Sequence, residues 1–163
     1  YFRANLIGAR STRITLAQER EHVNAYLTLE QTRFPDRFKV HFNNQVGDDV
    51  LLPPFTIQVL VENALKHAFG HRMHGNIVNI DLTAVDNRLQ IKVKDNGEGI
   101  APDVLGKLGH EPVHSEHGTG TALQNLNQRL IGLYDKRSQL NFATGKNGTT
   151  VTISIPLVTK GEP

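Results

Sequence analysis

At 163 residues, with 38% hydrophobic and 21% charged side chains and a net charge of +2, the chain has room for one domain with a sizeable core and not for two. This composition excludes a disordered or fibrous protein, and the absence of cysteine excludes a disulfide framework and a cysteine–zinc site while being compatible with a reducing cytosol. Lys and Arg are scattered rather than clustered, so no direct nucleic-acid contact is expected, and no run approaches the ~20 apolar residues that a membrane helix needs.

In chain order, the first expected element is an amphipathic helix from Thr15 to Phe34. Leu16, Val23, Leu27 and Phe34 form its apolar stripe, Thr15 and Gln18 have capping-box spacing, and Pro35 ends it. A strand from Phe38 to Phe42 and a polar loop from Gln45 to Asp49 follow. Pro53 and Pro54 open a second helix that runs to Phe69 and stops at Gly70. Period-two patterning marks strands through Val78, Ile80, Leu82 and Ala84 and through Leu89, Ile91 and Val93, joined at Asp86 and Asn87 as a hairpin. A short helix from Pro102 to Leu108, a polar segment from His110 to Gly118, a helix from Thr119 to Leu133 and strands Gln139–Phe142 and Thr150–Ile155 complete the chain. The expected fold class is an α/β (α+β) two-layer sandwich, with a mixed, largely antiparallel sheet and helices on one face.

Three segments can carry chemistry. Asn63, Lys66 and His67 are spaced to share neighbouring faces of the second helix. Mg²⁺ takes oxygen ligands and is often held by one or two protein oxygens together with substrate phosphates, so one asparagine amide can suffice; the alternative is a solvated polar face. In Asp95-Asn96-Gly97-Glu98-Gly99-Ile100, the glycines allow sharp turns and close approach. A carboxylate at 95 accepts a hydrogen bond from an exocyclic amine such as that of adenine, where guanine would present a carbonyl; the alternative is a plain strand-to-loop turn. Gly118-Thr119-Gly120-Thr121-Ala122-Leu123 opens a helix whose backbone N–H groups make a phosphate cradle. It fits neither the dinucleotide fingerprint nor a Walker loop.

In this fixed order the three segments resemble the N, G1 and G2 boxes of the GHKL superfamily of gyrase, heat-shock chaperone, mismatch-repair and histidine-kinase ATP-binding domains, and Gly148-Thr149 resembles the usual ending. The stretch Arg20-Glu21-His22-Val23-Asn24-Ala25-Tyr26-Leu27 with Arg33-Phe34, and Tyr1-Phe2-Arg3-Ala4-Asn5-Leu6 before it, resemble LytS-type sensor histidine kinases. The resemblance implies an ATP-binding (Bergerat-type) sandwich with ATP as substrate. Asn63 would hold Mg²⁺, Lys66 would meet phosphate, Asp95 would read adenine, and a mobile lid would precede Gly118. Through the boxes, nucleotide contact is also expected of His67, Gly97, Gly99, Ile100, Gly118, Thr119, Gly120, Thr121, Leu123 and Thr149. Residues 1–45 would be the end of the dimerisation and phosphoacceptor region with a pre-ATPase helix, 46–158 the catalytic domain, and 159–163 a tail.

In hydrolysing relatives a glutamate one helical turn before the metal asparagine activates water; here Val59 stands there, and Glu62 points about 100° away from Asn63. Transfer to a histidine is therefore favoured over hydrolysis, with a nucleotide-binding regulatory module as the other reading. No family-like acceptor motif occurs in the chain. The acceptor is expected upstream of Tyr1, with His22 a poor substitute, and the histidines at 67, 71 and 74 and at 110, 114 and 117 are expected to be solvated rather than metal-bound. From its start at Tyr1 without methionine the chain is expected to be a piece of a longer protein, and the resemblance implies a cytoplasmic domain of a membrane sensor kinase. That protein would dimerise through the upstream helix, pass phosphate to a response regulator, and touch membrane only through its remaining parts.

Overall fold

The computed structural model describes residues 13–70, 72–111 and 121–161. Strand β1 (Ile14–Thr15) leads into helix α1 (Leu16–Arg33), then β2 (Phe38–Asn44), β3 (Leu51–Leu52), α2 (Thr56–Asn63) continued by a π-helical turn (Ala64–Ala68), and β4 (Asn76–Val85). Next come β5 (Arg88–Asp95), α3 (Pro102–Leu105), α4 (Ala122–Leu133), β6 (Asn141–Gly145) and β7 (Gly148–Pro156). The main sheet has the order β2-β4-β5-β7-β6, antiparallel except that β2 runs parallel to β4. That parallel pair needs a crossover connection, and α2 supplies it.

The expected sandwich is present. Alternation along the strands sends Val78, Ile80, Leu82, Leu89, Ile91, Val93, Val151, Ile153 and Ile155 to one buried face. Against this face pack Ile57, Leu60, Val61 and Leu65 of the α2 segment and Leu123, Leu126 and Leu130 of α4, in one continuous core. Asp86 and Asn87 both have positive φ, 51° and 61°, so the β4–β5 hairpin closes in a type I′ turn whose twist matches the strands.

Helix α1 starts as expected: the Thr15 side chain accepts from the Gln18 amide, and the Gln18 side chain reciprocates at the Thr15 backbone. Its buried row is Leu16, Glu19 and Val23, so an acid occupies the middle of the apolar stripe. β2 belongs to the same sheet as β4, and β1 pairs with β3 in a separate two-stranded ribbon. Helix α2 begins at Thr56, after the prolines rather than on them, because Phe55 adopts a left-handed conformation (φ 64°, ψ 16°) that delays the first helical turn.

Candidate functional site

β5 delivers the acidic residue. Leu89, Ile91 and Val93 face the helices, and one further period-two step puts Asp95 on the same face, opposite Val78. Asp95 as a residue is only 7% exposed, and a buried charge needs hydrogen-bond partners. Oδ1 accepts from the backbone N–H of Gly97 at 2.9 Å and of Thr149 at 3.2 Å. Burial raises the Asp95 carboxyl above its ordinary value, while the two amides and the Arg72 charge oppose that rise without cancelling it.

Glycines permit this closure. A Cβ at Gly148 would run into the carbonyl oxygen of Asp95, and its φ of +125° is a conformation side chains resist. Gly148→Ala is expected to lower stability by about 3 kcal/mol in denaturant unfolding, from overlap and backbone strain together. The close approach allowed at Gly97 and Gly99 is to the protein's own carbonyl oxygens, those of Ala68 and Gly145. Glu98 N–H donates to Ala68 O at 3.1 Å, which docks the loop after β5 onto the end of the α2 segment. Ile100 N–H donates to Thr144 Oγ1 at 2.8 Å, and Thr144 shares a 2.9 Å hydroxyl contact with Thr149. The loop is thereby tied to the β6–β7 hairpin as well.

Asn63 is the last α-helical residue of α2 and is half-buried; Lys66 and His67 follow, exposed, in the π-helical turn. The expected uninterrupted α-helix therefore needs correction: i→i+5 bonding widens this turn, a departure common at functional sites. Among the described residues the Asn63 side chain has no hydrogen-bond partner within the chain. Val59 is partly buried and packs on the core, and Glu62 accepts from Gln58 Nε2 at 2.9 Å.

The start of α2 is held from another element. Glu19 of α1 is 0% exposed; its Oε1 accepts from Phe55 N–H at 2.8 Å, and its Oε2 accepts from Ile57 N–H at 2.8 Å and Gln58 N–H at 3.2 Å. These are the donors that a helix start leaves without intrahelical partners. Burial raises the Glu19 carboxyl, with the three amides and then His22 acting against it. His22 stacks on the Phe55 ring, centroids 5.0 Å apart, with its Nδ1 3.7 Å from Glu19 Oε1.

Gly118, Thr119 and Gly120 lie outside the described residues, as do His71, His114 and His117. Thr121 is half-buried just before α4 and its carbonyl accepts from Asn125 N–H at 2.8 Å. Leu123 is buried in the core. His74 and His110 are exposed. Sequence reading passed over several residues that shape this region. Buried Asn127 bridges α4 to the Gly109 carbonyl (3.0 Å) and the Leu140 amide (2.8 Å), and Thr144, Glu19 and Arg72 also went unassigned. The one available signal was Glu19, an acid three residues after Leu16 and four before Val23 in the apolar row.

Residues 54–159 match the family described as histidine kinase-, DNA gyrase B-, and HSP90-like ATPase, and residues 1–38 match a histidine kinase family. The chain is 50% identical over 157 residues to the sensor protein LytS of Staphylococcus haemolyticus and 47% identical over 159 residues to that of Bacillus subtilis; each alignment covers 96% of this chain and 27% of the relative. The chain thus spans about a quarter of the length of these relatives. Among solved structures, the catalytic domain of histidine kinase ThkA superposes with a TM-score of 0.67 at 18% identity, covering 89% of this chain and 96% of that one. The mycobacterial sensor histidine kinase MprB gives 0.65 at 16% identity, covering 90% and 99%. At these identities the superpositions establish the fold.

Proposed function

The chain belongs to the family of histidine kinase-, DNA gyrase B- and HSP90-like ATPases, as the ATP-binding catalytic domain of a LytS-type sensor histidine kinase, and from that premise we propose that it binds Mg-ATP in a pocket formed by Asn63, Asp95 and the start of α4. The whole protein would then transfer the γ-phosphate to a histidine upstream of this chain.

The observation that carries this reading is the state of Asp95. Two backbone amides hold Oδ1, and among the described residues Oδ2 has no donor, so one acceptor of a largely buried residue stays available for the exocyclic amine of adenine. Asn63 offers a neutral amide oxygen without a competing partner among the described residues, which suits Mg²⁺, an ion that binds through few protein oxygens and several phosphate and water oxygens. When bound, the ion neutralises charge on the β- and γ-phosphates. Lys66 would add a mobile positive charge beside the phosphates, with His67, Ile100 and Thr149 lining the pocket. The helix start with Gly118, Thr119, Gly120, Thr121 and Leu123 would cradle the phosphate chain. With apolar Val59 one turn before Asn63, no carboxylate stands at the position from which hydrolysing relatives activate water. Positioning of the γ-phosphate for an incoming imidazole is what remains for the pocket to do.

The wider assignments follow the same reading. The whole protein would dimerise through its upstream helix and pass its phosphate to a response regulator; the ThkA kinase has been solved in complex with the response regulator protein TrrA. Membrane contact would be made elsewhere in the whole protein, with this domain on the cytoplasmic side; among the described residues no helix is long and apolar enough to cross a membrane.

The test is transfer of labelled γ-phosphate in the chain extended by its upstream segment. Acid-labile phosphohistidine should form in the wild type, and Asn63→Ala should reduce it about 10²-fold or more, the size of a lost electrostatic stabiliser. ATP binding without transfer would leave a regulatory module, and rapid release of inorganic phosphate by the isolated chain would make it a hydrolase.

A further inference from the structure

Beyond the three boxes, one side chain reaches the adenine acceptor through its supporting peptide. Arg72 lies just after the π-helical turn, its N–H donating to the Phe69 carbonyl at 2.9 Å and its guanidinium stacked 5.5 Å from the centre of the buried Phe69 ring. Nε donates to Asn76 Oδ1 at 2.6 Å, and Nη2 donates to both the backbone oxygen (2.8 Å) and the side-chain oxygen (3.0 Å) of Asn96. Asn76 is itself buried, and its Nδ2 donates to the carbonyls of Arg37 and Arg72 at 2.9 and 2.8 Å. The anchor of the fork is therefore fixed.

Asn96 is held from every side. Its Oδ1 also accepts from Ile77 N–H at 2.8 Å, its Nδ2 donates to the Gly75 carbonyl at 2.8 Å, and its own N–H donates to the Ile77 carbonyl at 3.2 Å. The decisive point is covalent. The Asn96 carbonyl oxygen and the Gly97 N–H belong to one planar peptide unit. Arg72 grips the oxygen end of that plane, and the N–H end holds Asp95 Oδ1. Rotating the plane would cost either the Arg72 bond or the Asp95 bond. The aim of the carboxylate thus depends on a residue that does not touch it.

We propose that Arg72 is a positioning residue for purine selectivity: by locking the Asn96–Gly97 peptide it aims the Asp95 carboxylate at a 6-amino group. This rests on the adenine-acceptor reading of Asp95 given above. A planar, forked guanidinium can bond Asn76 and Asn96 at once, whereas a lysine ammonium is a single point on a flexible stem.

The experiment is equilibrium titration of this chain with ATP and with inosine triphosphate, which carries a carbonyl where adenine carries its amine, for the wild type, Arg72→Gln, Arg72→Lys and Asp95→Asn. Arg72→Gln should weaken ATP about tenfold, the scale of one charge-assisted hydrogen bond, and leave inosine triphosphate within about twofold. Arg72→Lys should resemble Arg72→Gln. A partly unfolded variant would bind both nucleotides less in equal proportion, so the ratio reads selectivity independently of folding. A parallel loss of both nucleotides, an unchanged ratio, or full recovery with lysine would each overturn the proposal. If Asp95→Asn itself leaves the ratio unchanged, the adenine reading fails; if Asp95→Asn collapses it and the Arg72 variants do not, only the role of Arg72 fails.

Discussion

Asp95→Asn is expected to weaken ATP binding by about 10²-fold in calorimetric titration while leaving the fold intact. The substitution keeps an Oδ1 acceptor for the Gly97 and Thr149 amides and converts the second oxygen into an N–H₂ donor. Donor would then face donor at the adenine amine. One hydrogen bond is lost and a buried donor is left unmatched, a cost of roughly 2–3 kcal/mol, or about 30- to 150-fold in affinity. The fold gains in turn from no longer burying a charge, so the thermal midpoint should hold or rise. The two proteins should also differ in pH dependence. The Asp95 carboxyl sits above its ordinary value because it is buried, and only its ionised form accepts without donating. Wild-type affinity should therefore be full above the raised pKa and fall as pH drops through it, at a higher pH than an ordinary carboxylate would require. The asparagine variant should show no such titration; equal ATP affinities at neutral pH would remove Asp95 from the pocket.

A stability loss as large as that at Gly148 is expected from Glu19→Ala. Three backbone donors at the start of α2 lose their acceptor at once, each worth about 1–3 kcal/mol when buried and unpaired. Removing a buried carboxylate returns part of that, leaving a net loss of about 3 kcal/mol, or about 10 °C in melting temperature for a domain of this size. Phe55 contributes to the loss. Its left-handed backbone costs about 1–2 kcal/mol and is held by Glu19 on one side and the His22 ring on the other. The pH dependence has a definite sign. With a folded pKa raised above the ordinary 4.5, the stability linked to Glu19 is fully present below about 4.5 and is lost as pH rises through the folded value. The gap between wild type and variant should be widest in acid and narrow towards neutrality; a gap that widens with pH would show Glu19 to be preferentially ionised in the fold.

Much of this architecture was legible because it rests on local patterns. Alternation along Val78–Ile80–Leu82 and Leu89–Ile91–Val93 sets two strands and their buried face, and it carries Asp95 onto that face without further information. Asp86-Asn87 specifies its turn, and Thr15 with Gln18 specifies a helix start. What was not legible depends on contacts distant in sequence. The parallel pairing of β2 with β4 is a choice of partner that no local pattern encodes. Glu19 falls in the apolar row, yet its partners stay unknown until α2 is placed against it, and Arg72 reads as a loop cation until Asn96 folds back over it. The π-helical turn escaped because apolar spacing over so few residues fits either helical period. At Gly97 and Gly99 the residue type signalled close approach without saying to what, and the neighbours proved to be Ala68 and Gly145.

The bond from Thr149 N–H to Asp95 Oδ1 joins positions 54 residues apart. Chains are made from the N-terminus onward and domains settle as units when enough sequence is available. The carboxylate of β5 is made before β7, and it remains without its second amide until β7 has been made and has added itself beside β5. Completion of the Asp95 hydrogen bonds therefore waits on translation of β7. A ribosome stalled before residue 149 would carry a nascent domain with both glycine-rich loops already translated and an Asp95 carboxylate still missing one of its two amides.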